Sequence, residues 1–146
     1  MDKPDTPYAV RLATRIGQVV PVHCTALGKA LLSYLPYEQI SSIFQNYEYH
    51  QFTPKTTLNF KKLLENLHLS RKQGYALDEE EHELGVICYG ATIINHGNTP
   101  LAAMSISTPK ERFSAEQRRI TIEVLVNSAR KFSKLIRDFP SNEMSL

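Results

Sequence analysis

The stretch that most constrains this chain is Gly85–Pro109, GVICYGATIINHGNTPLAAMSISTP. Apolar and β-branched residues flank His96-Gly97-Asn98-Thr99, a cluster able to take the positive φ of a tight turn, so the spacing predicts two antiparallel strands joined there. Side chains alternate across a strand. Leu101, Ala103, Ser105 and Ser107 therefore share one face, and Ala102, Met104 and Ile106 share the other. Cys88 on the first arm reaches the serine face across the ladder, and Asp78 lies just upstream in the acidic run Asp78-Glu-Glu-Glu-His-Glu83.

Helical periods surround this hairpin. Before them, Tyr8, Val10, Leu12, Thr14 and Ile16 alternate with more polar neighbours, the period-2 pattern of a half-buried strand that Gly17 ends. Thr25 is a natural N-cap for a helix within His23–Leu35, whose apolar positions are Leu27, Ala30, Leu31 and Leu35. The small residues of its first turn, Ala26-Leu27-Gly28-Lys29, either admit a ligand at the helix end or permit close helix–sheet packing. Pro36 suits the first turn of a second helix striped with Ile40, Ile43, Phe44 and Tyr47, and Glu48–Thr56 reads as a surface loop. Thr57 is expected to cap a third helix with Phe60, Leu63, Leu64 and Leu67 on one face and Gly74 as its stop. Tyr75-Ala76-Leu77 is a short strand that leaves Asp78 facing inward and Glu79 and Glu80 in water. Ser114-x-x-Gln117 is a capping-box pattern opening a long last helix to about Phe139. Its expected apolar side is Ile120, Val124, Leu125, Ser128, Phe132 and Leu135, with Ile122, Val126 and Ile136 left to cover the sheet or to meet another subunit.

Strands and helices in this order predict an α+β fold, and 146 residues suffice for one domain. The net charge of +2 comes from dispersed basic residues, which do not make a nucleic-acid face. Two cysteines without a disulfide pattern, and no secretory or membrane segment, point to a cytoplasmic protein with reduced thiols. Catalysis finds little support. Cys88 with His82 or His96 is the one nucleophile–base candidate, and a thiol among bulky apolar neighbours is inert. P-loop, GxGxxG and HExxH motifs are absent, and His82 has no second histidine or cysteine at ligand spacing, so neither metal nor cofactor is expected. A small-molecule receptor asks for less: Ser105, Ser107, Cys88 and a helix N-terminus supply donors, and Asp78 supplies an acceptor. The plain alternative is a domain whose strand serines simply face inward.

Three separated segments carry a family resemblance: Pro21-Val-His-Cys-Thr-Ala-Leu-Gly-Lys-Ala-Leu-Leu32, Gly74-Tyr-Ala-Leu-Asp-Glu-Glu-Glu81 with Leu84-Gly-Val-Ile-Cys88, and Ala102-Ala-Met-Ser-Ile-Ser-Thr-Pro109. In order and spacing they resemble the effector-binding domain of IclR-type bacterial transcriptional regulators. The resemblance implies a GAF-like antiparallel sheet flanked by helices that binds a small effector, follows a winged helix-turn-helix DNA-binding domain, and assembles as dimers and tetramers. By position it implies a pocket lined by Ala26 and Leu27, with polar contacts on Asp78, Cys88, Ser105 and Ser107. Ala26-Leu27 stands where some members have Gly-Ala, and Gly90-Ala91-Thr92 replaces Ala-x-Pro, where only a local change in strand geometry is expected.

Members of the family carry a helix and a hairpin ahead of the strand matched by Tyr8 to Ile16. Residues 1–146 are therefore expected to be a single effector-binding domain, N-terminally truncated, without that helix and hairpin and without the DNA-binding domain. The function expected is sensing of a small carboxylate (a 2-oxo acid, a sugar acid or an aromatic acid), with pocket volume set by Leu12, Leu27 and Met104. DNA is reached only through the absent domain, no membrane is involved, and a homodimer or tetramer is expected. The alternative is an oligomerisation domain without its own ligand.

Overall fold

Helix capping explains where the first elements begin and end. The computed structural model describes residues 16–139, so the strand expected over Tyr8–Ile16 lies outside the described residues except for its last position, as does Leu12. Helix α1 (Ala26–Leu32) starts behind Thr25, whose hydroxyl accepts the Gly28 N–H at 3.2 Å. Helix α2 (Tyr37–Phe44) begins immediately after Pro36. Helix α3 (Phe60–Gln73) is capped by Asn59, which accepts from Lys62 N at 2.9 Å, and stops at Gly74, whose φ of +90° is left-handed. Thr57 is not the cap. It is buried, and its hydroxyl donates to Glu81 instead. Leu32, Ile40, Phe44, Leu63 and Leu67 join these three helices in one apolar cluster.

Strands β1 (Ala76–Glu79), β2 (Val86–Ile94) and β3 (Pro100–Pro109) form an antiparallel sheet in sequence order among the described residues. The β2–β3 turn passes through Gly97 at φ +79° and Asn98 at φ +60°, the conformation its sequence suits. The sheet has two unlike faces. Ile87, Tyr89 and Ala91, joined by Met104 and Ile106, form an apolar cluster with Leu125 and Ala129 of helix α4 (Ala115–Asp138). Met104 thus packs on the α4 side and does not line the serine face, because its parity on β3 is opposite to that of Ser105 and Ser107.

Helix α4 opens with both capping-box bonds, Gln117 N–H to Ser114 and Ser114 N–H to Gln117. Its buried side is Leu125, Ala129 and Ser133, with Ile122 packed beside them, while Ile120, Val124, Phe132 and Leu135 of the expected row are exposed. The small side chains set this rotation. The register shifts between Ile93 and Ile94, and the Ile94 N–H finds the Ser133 hydroxyl at 3.0 Å, which turns a polar position of the helix toward the sheet.

Helix α1 covers the other face of β2 and β3. Thr92 donates from its hydroxyl to the Ala30 carbonyl at 2.7 Å, and Gly90 faces the helix backbone directly. A Cβ at Gly90 would stand 2.5 Å from the Ala26 carbonyl oxygen and 2.7 Å from its carbon, so the glycine permits the close approach of α1. The sequence departure at Gly90-Ala91-Thr92 therefore affects helix seating as well as strand geometry. Gly90→Ala is expected to destabilise the domain by about 1–3 kcal/mol. A urea-unfolding midpoint equal to that of the wild type would overturn this reading.

Candidate functional site

The sheet register builds the site row by row. Asp78 pairs with Cys88, and Cys88 pairs with Ser107; in the next row on the same face Ala76 pairs with Gly90, and Gly90 with Ser105. Period-2 alternation turns these side chains toward α1. Ala26, Leu27, Asp78, Cys88, Ser105 and Ser107, all six positions singled out from the sequence, line one cavity of about 140 Å³ together with Thr25, Val86, His82 and Glu83, and with Gln18 and Val20. Exposure changes across the row: Asp78 is buried, Cys88 is half-buried, and Ser105 and Ser107 are exposed.

Asp78 is held by the turn that follows it. Its Oδ1 accepts the backbone N–H of Glu81 at 2.8 Å and that of His82 at 3.4 Å, and Glu80, just before these two, takes a φ of +60°. Burial pushes the Asp78 carboxyl up to about 6, against the opposing pull of those two N–H groups and of Lys29. Cys88 Sγ lies 3.0 Å from Ser107 Oγ, and burial raises its thiol to about 11. Cys24, fully buried, is raised to about 12 for the same first reason. Both thiols are protonated at neutral pH, and the partner of Cys88 is a hydroxyl, so the arrangement suits hydrogen bonding and not nucleophilic attack.

The acidic run is not the solvated loop that its composition suggests. Glu79 is exposed, but Glu80 and Glu81 are buried and paired. Lys110 and Lys55 both reach Glu80, which also accepts the Gly85 N–H at 3.0 Å, and these partners hold its carboxyl down at about 2. Glu81 pairs with Lys29 of α1 and accepts from the hydroxyl and N–H of Thr57. The segment expected as a surface loop supplies further bonds, from Thr53 to the Glu80 carbonyl at 2.6 Å and from Thr56 to the Glu81 carbonyl at 2.6 Å. These ties are not legible in the sequence, because a buried carboxylate and a solvated one are spelled alike. Val86 was legible in principle, since it lies two residues before Cys88 on the same strand face. His82 and Glu83 enter the cavity wall only through the turn at Glu80.

A family model described as "Bacterial transcriptional regulator IclR C-terminal" matches residues 1–134. The chain belongs to the IclR family. Among curated IclR-family relatives, the HTH-type transcriptional regulator XynR of Escherichia coli is 38% identical over 112 residues, covering 77% of this chain and 44% of that protein. This chain spans about half the length of the curated relatives it matches. The Thermotoga maritima IclR crystal structure superposes with a TM-score of 0.82 at 32% identity, covering 89% of this chain and 53% of that one. The inducer-binding domain of the PobR transcription factor from Acinetobacter, a double mutant in complex with 3-hydroxybenzoic acid, gives a TM-score of 0.75 at 30% identity over 92% of this chain and 75% of its own. The relatives are named as transcriptional regulators and repressors, and the helices and antiparallel sheet seen here are those of IclR C-terminal domains. Among the described residues no helix is long and apolar enough to cross a membrane.

The raised Asp78 carboxyl has a consequence for stability. Its folded midpoint of about 6 lies above its ordinary 3.8, so its share of stability is complete below about pH 4, declines as pH rises through 6, and is level above that. Asp78→Asn keeps an acceptor for the Glu81 and His82 N–H groups without the charge. The variant is expected to gain on the wild type by up to about 3 kcal/mol between pH 4 and pH 7, read by urea unfolding at each pH. Parallel stability curves for the two proteins would refute it.

Proposed function

We propose that this chain is the effector-sensing part of an IclR-type regulator and that the cavity between α1 and the β1–β3 face holds a small carboxylic acid. The observation that carries the reading is the convergence of Ser105, Ser107 and Cys88, three donors, with Asp78, one acceptor, around a single cavity whose first α1 turn adds Ala26 and Leu27. A cavity of roughly 150 Å³ accepts one benzene ring, so the 140 Å³ found here suits a short 2-oxo acid, or a single-ring or sugar acid whose polar end extends to the exposed Ser105 and Ser107. The 3-hydroxybenzoic acid named with the PobR domain belongs to that size class. On this reading the ligand is bound in the cytoplasm and modulates transcription, and DNA is contacted by a winged helix-turn-helix domain outside these residues.

Calorimetric titration with 3-hydroxybenzoate, pyruvate and gluconate tests the site. A bound acid is expected to weaken about tenfold or more in Ser105→Ala and again in Ser107→Ala, the loss of one hydrogen bond to a charged group in each case. Binding insensitive to both would remove the cavity from the reading.

A second reading, self-association, is favoured by a specific feature of α4. Ile120, Val124, Phe132, Leu135 and Phe139 are each 46–56% exposed along the helix away from the sheet. On this reading α4 of one copy meets another copy in a homodimer or tetramer. Val124→Glu with Leu135→Glu is expected to lower the mass measured by light scattering to that of a monomer, and an unchanged mass would exclude this face from the contact.

A further inference from the structure

We propose that the cavity takes its acid together with a proton, carried on Asp78, so that the proton instead of a cation offsets the charge of the bound anion and leaves a carboxylic acid–carboxylate pair. This rests on the reading of the cavity as an acid site.

Counting charge around Asp78 carries the inference. Among the described residues the cavity is lined by the carboxylates of Asp78 and Glu83 and by His82, and by no lysine or arginine. The nearest buried cation is Lys29 of α1, and its Nζ is already committed to the Leu77 carbonyl and to Glu81. From the segment before α1 comes the Cys24 thiol, from the turn after β1 come Glu81, His82 and Glu83, and from β2 comes the Cys88 thiol; β3 contributes only hydroxyls. The buried group of Lys29, Asp78 and Glu81 thus holds one cation and two carboxylates before any ligand arrives.

A ligand carboxylate accepting from Ser105 and Ser107 adds an anion on the far side of the same small space. Two carboxylates sharing a desolvated site do not both stay ionised. Asp78 is the group that yields. Its two hydrogen bonds among the described residues come from backbone N–H groups to Oδ1, so protonation at Oδ2 leaves both intact. His82 also lines the cavity, its ring 4.9 Å from that of Phe52, and proton uptake on its imidazole is the outcome that the Asp78→Asn arm below separates. Burial has already brought the Asp78 carboxyl close to neutral pH. Once protonated, Asp78 changes from an acceptor to a donor, and its O–H···O⁻ bond to the ligand is of the short, charge-assisted kind.

The step balances simply: one proton moves from buffer to Asp78 for each acid anion bound. Titration calorimetry of this chain with 3-hydroxybenzoate, pyruvate and gluconate at pH 5.5, 6.5 and 7.5, each in phosphate and in Tris or imidazole, reads it directly. Close to one proton taken up per ligand is expected at pH 7.5. Affinity is expected to fall about tenfold per pH unit above the Asp78 midpoint. Asp78→Asn, its fold checked by thermal melting, should bind with neither proton uptake nor the pH slope. Binding by the wild type without proton uptake would overturn the proposal, as would the same uptake in Asp78→Asn. If the variant fails to fold, the wild-type proton count alone decides. If none of the three acids binds the wild type at pH 5.5, the acid-sensing reading falls and this proposal falls with it.

Discussion

The buried pair of Lys29 and Glu81 is the interaction on which the rest of this arrangement depends. Lys29 is 2% exposed, and it reaches from the middle of α1 to the Leu77 carbonyl within β1 and to Glu81 in the turn that follows it. Glu81 in turn receives the hydroxyl of Thr57 at 2.5 Å and its N–H at 3.2 Å, which ties in the approach to α3. Removing water from two charges costs several kcal/mol per ion, so such a pair is a weak source of stability and a strong source of position. Loss of either partner strands the other, at about 3–5 kcal/mol. The pair ties α1 to β1 and to the segment that leads into α3.

Much of the scaffold was legible from residue spacing. The β2–β3 hairpin, the turn at Gly97 and Asn98, the capping box at Ser114 and Gln117 and the stop at Gly74 are local signals, each satisfied within a few residues. The tertiary polar ties were not legible. Lys29 and Glu81 are far apart in sequence, and so are Thr53 and Glu80; nothing in their immediate neighbourhood distinguishes them from solvated charges or loop hydroxyls. Helix α4 was misread for a related reason. Its apolar residues occupy more than one side, and the choice between them is made by the Ile94 N–H at the strand irregularity, which needs the Ser133 hydroxyl.

The site was legible to the extent that it is a sheet property. Parity alone assigns Ser105 and Ser107 to one face, and register then aligns Cys88 and Asp78 with them. Met104 fails as a pocket residue by the same parity rule. Gly90 was undervalued because a strand glycine declares a missing side chain without saying what fills the space; here the Ala26 carbonyl does. The family resemblance pointed to the positions, and the sheet accounts for why those positions come together.

The gradient of exposure along the row Asp78, Cys88, Ser107 has a further implication for which of these positions can change. Substitutions at exposed positions generally shift stability by no more than about 0.5 kcal/mol, whereas buried, hydrogen-bonded groups tolerate far less. Ser105 and Ser107 occupy the exposed end and Asp78 the buried one, where a replacement has to keep the acceptor for the Glu81 and His82 N–H groups, as Asn does. On the proposed acid-binding reading, ligand preference changes most readily from the β3 side, one hydroxyl at a time, while the acceptor at position 78 stays. The rim of the cavity can then be altered without disturbing the turn that Asp78 holds.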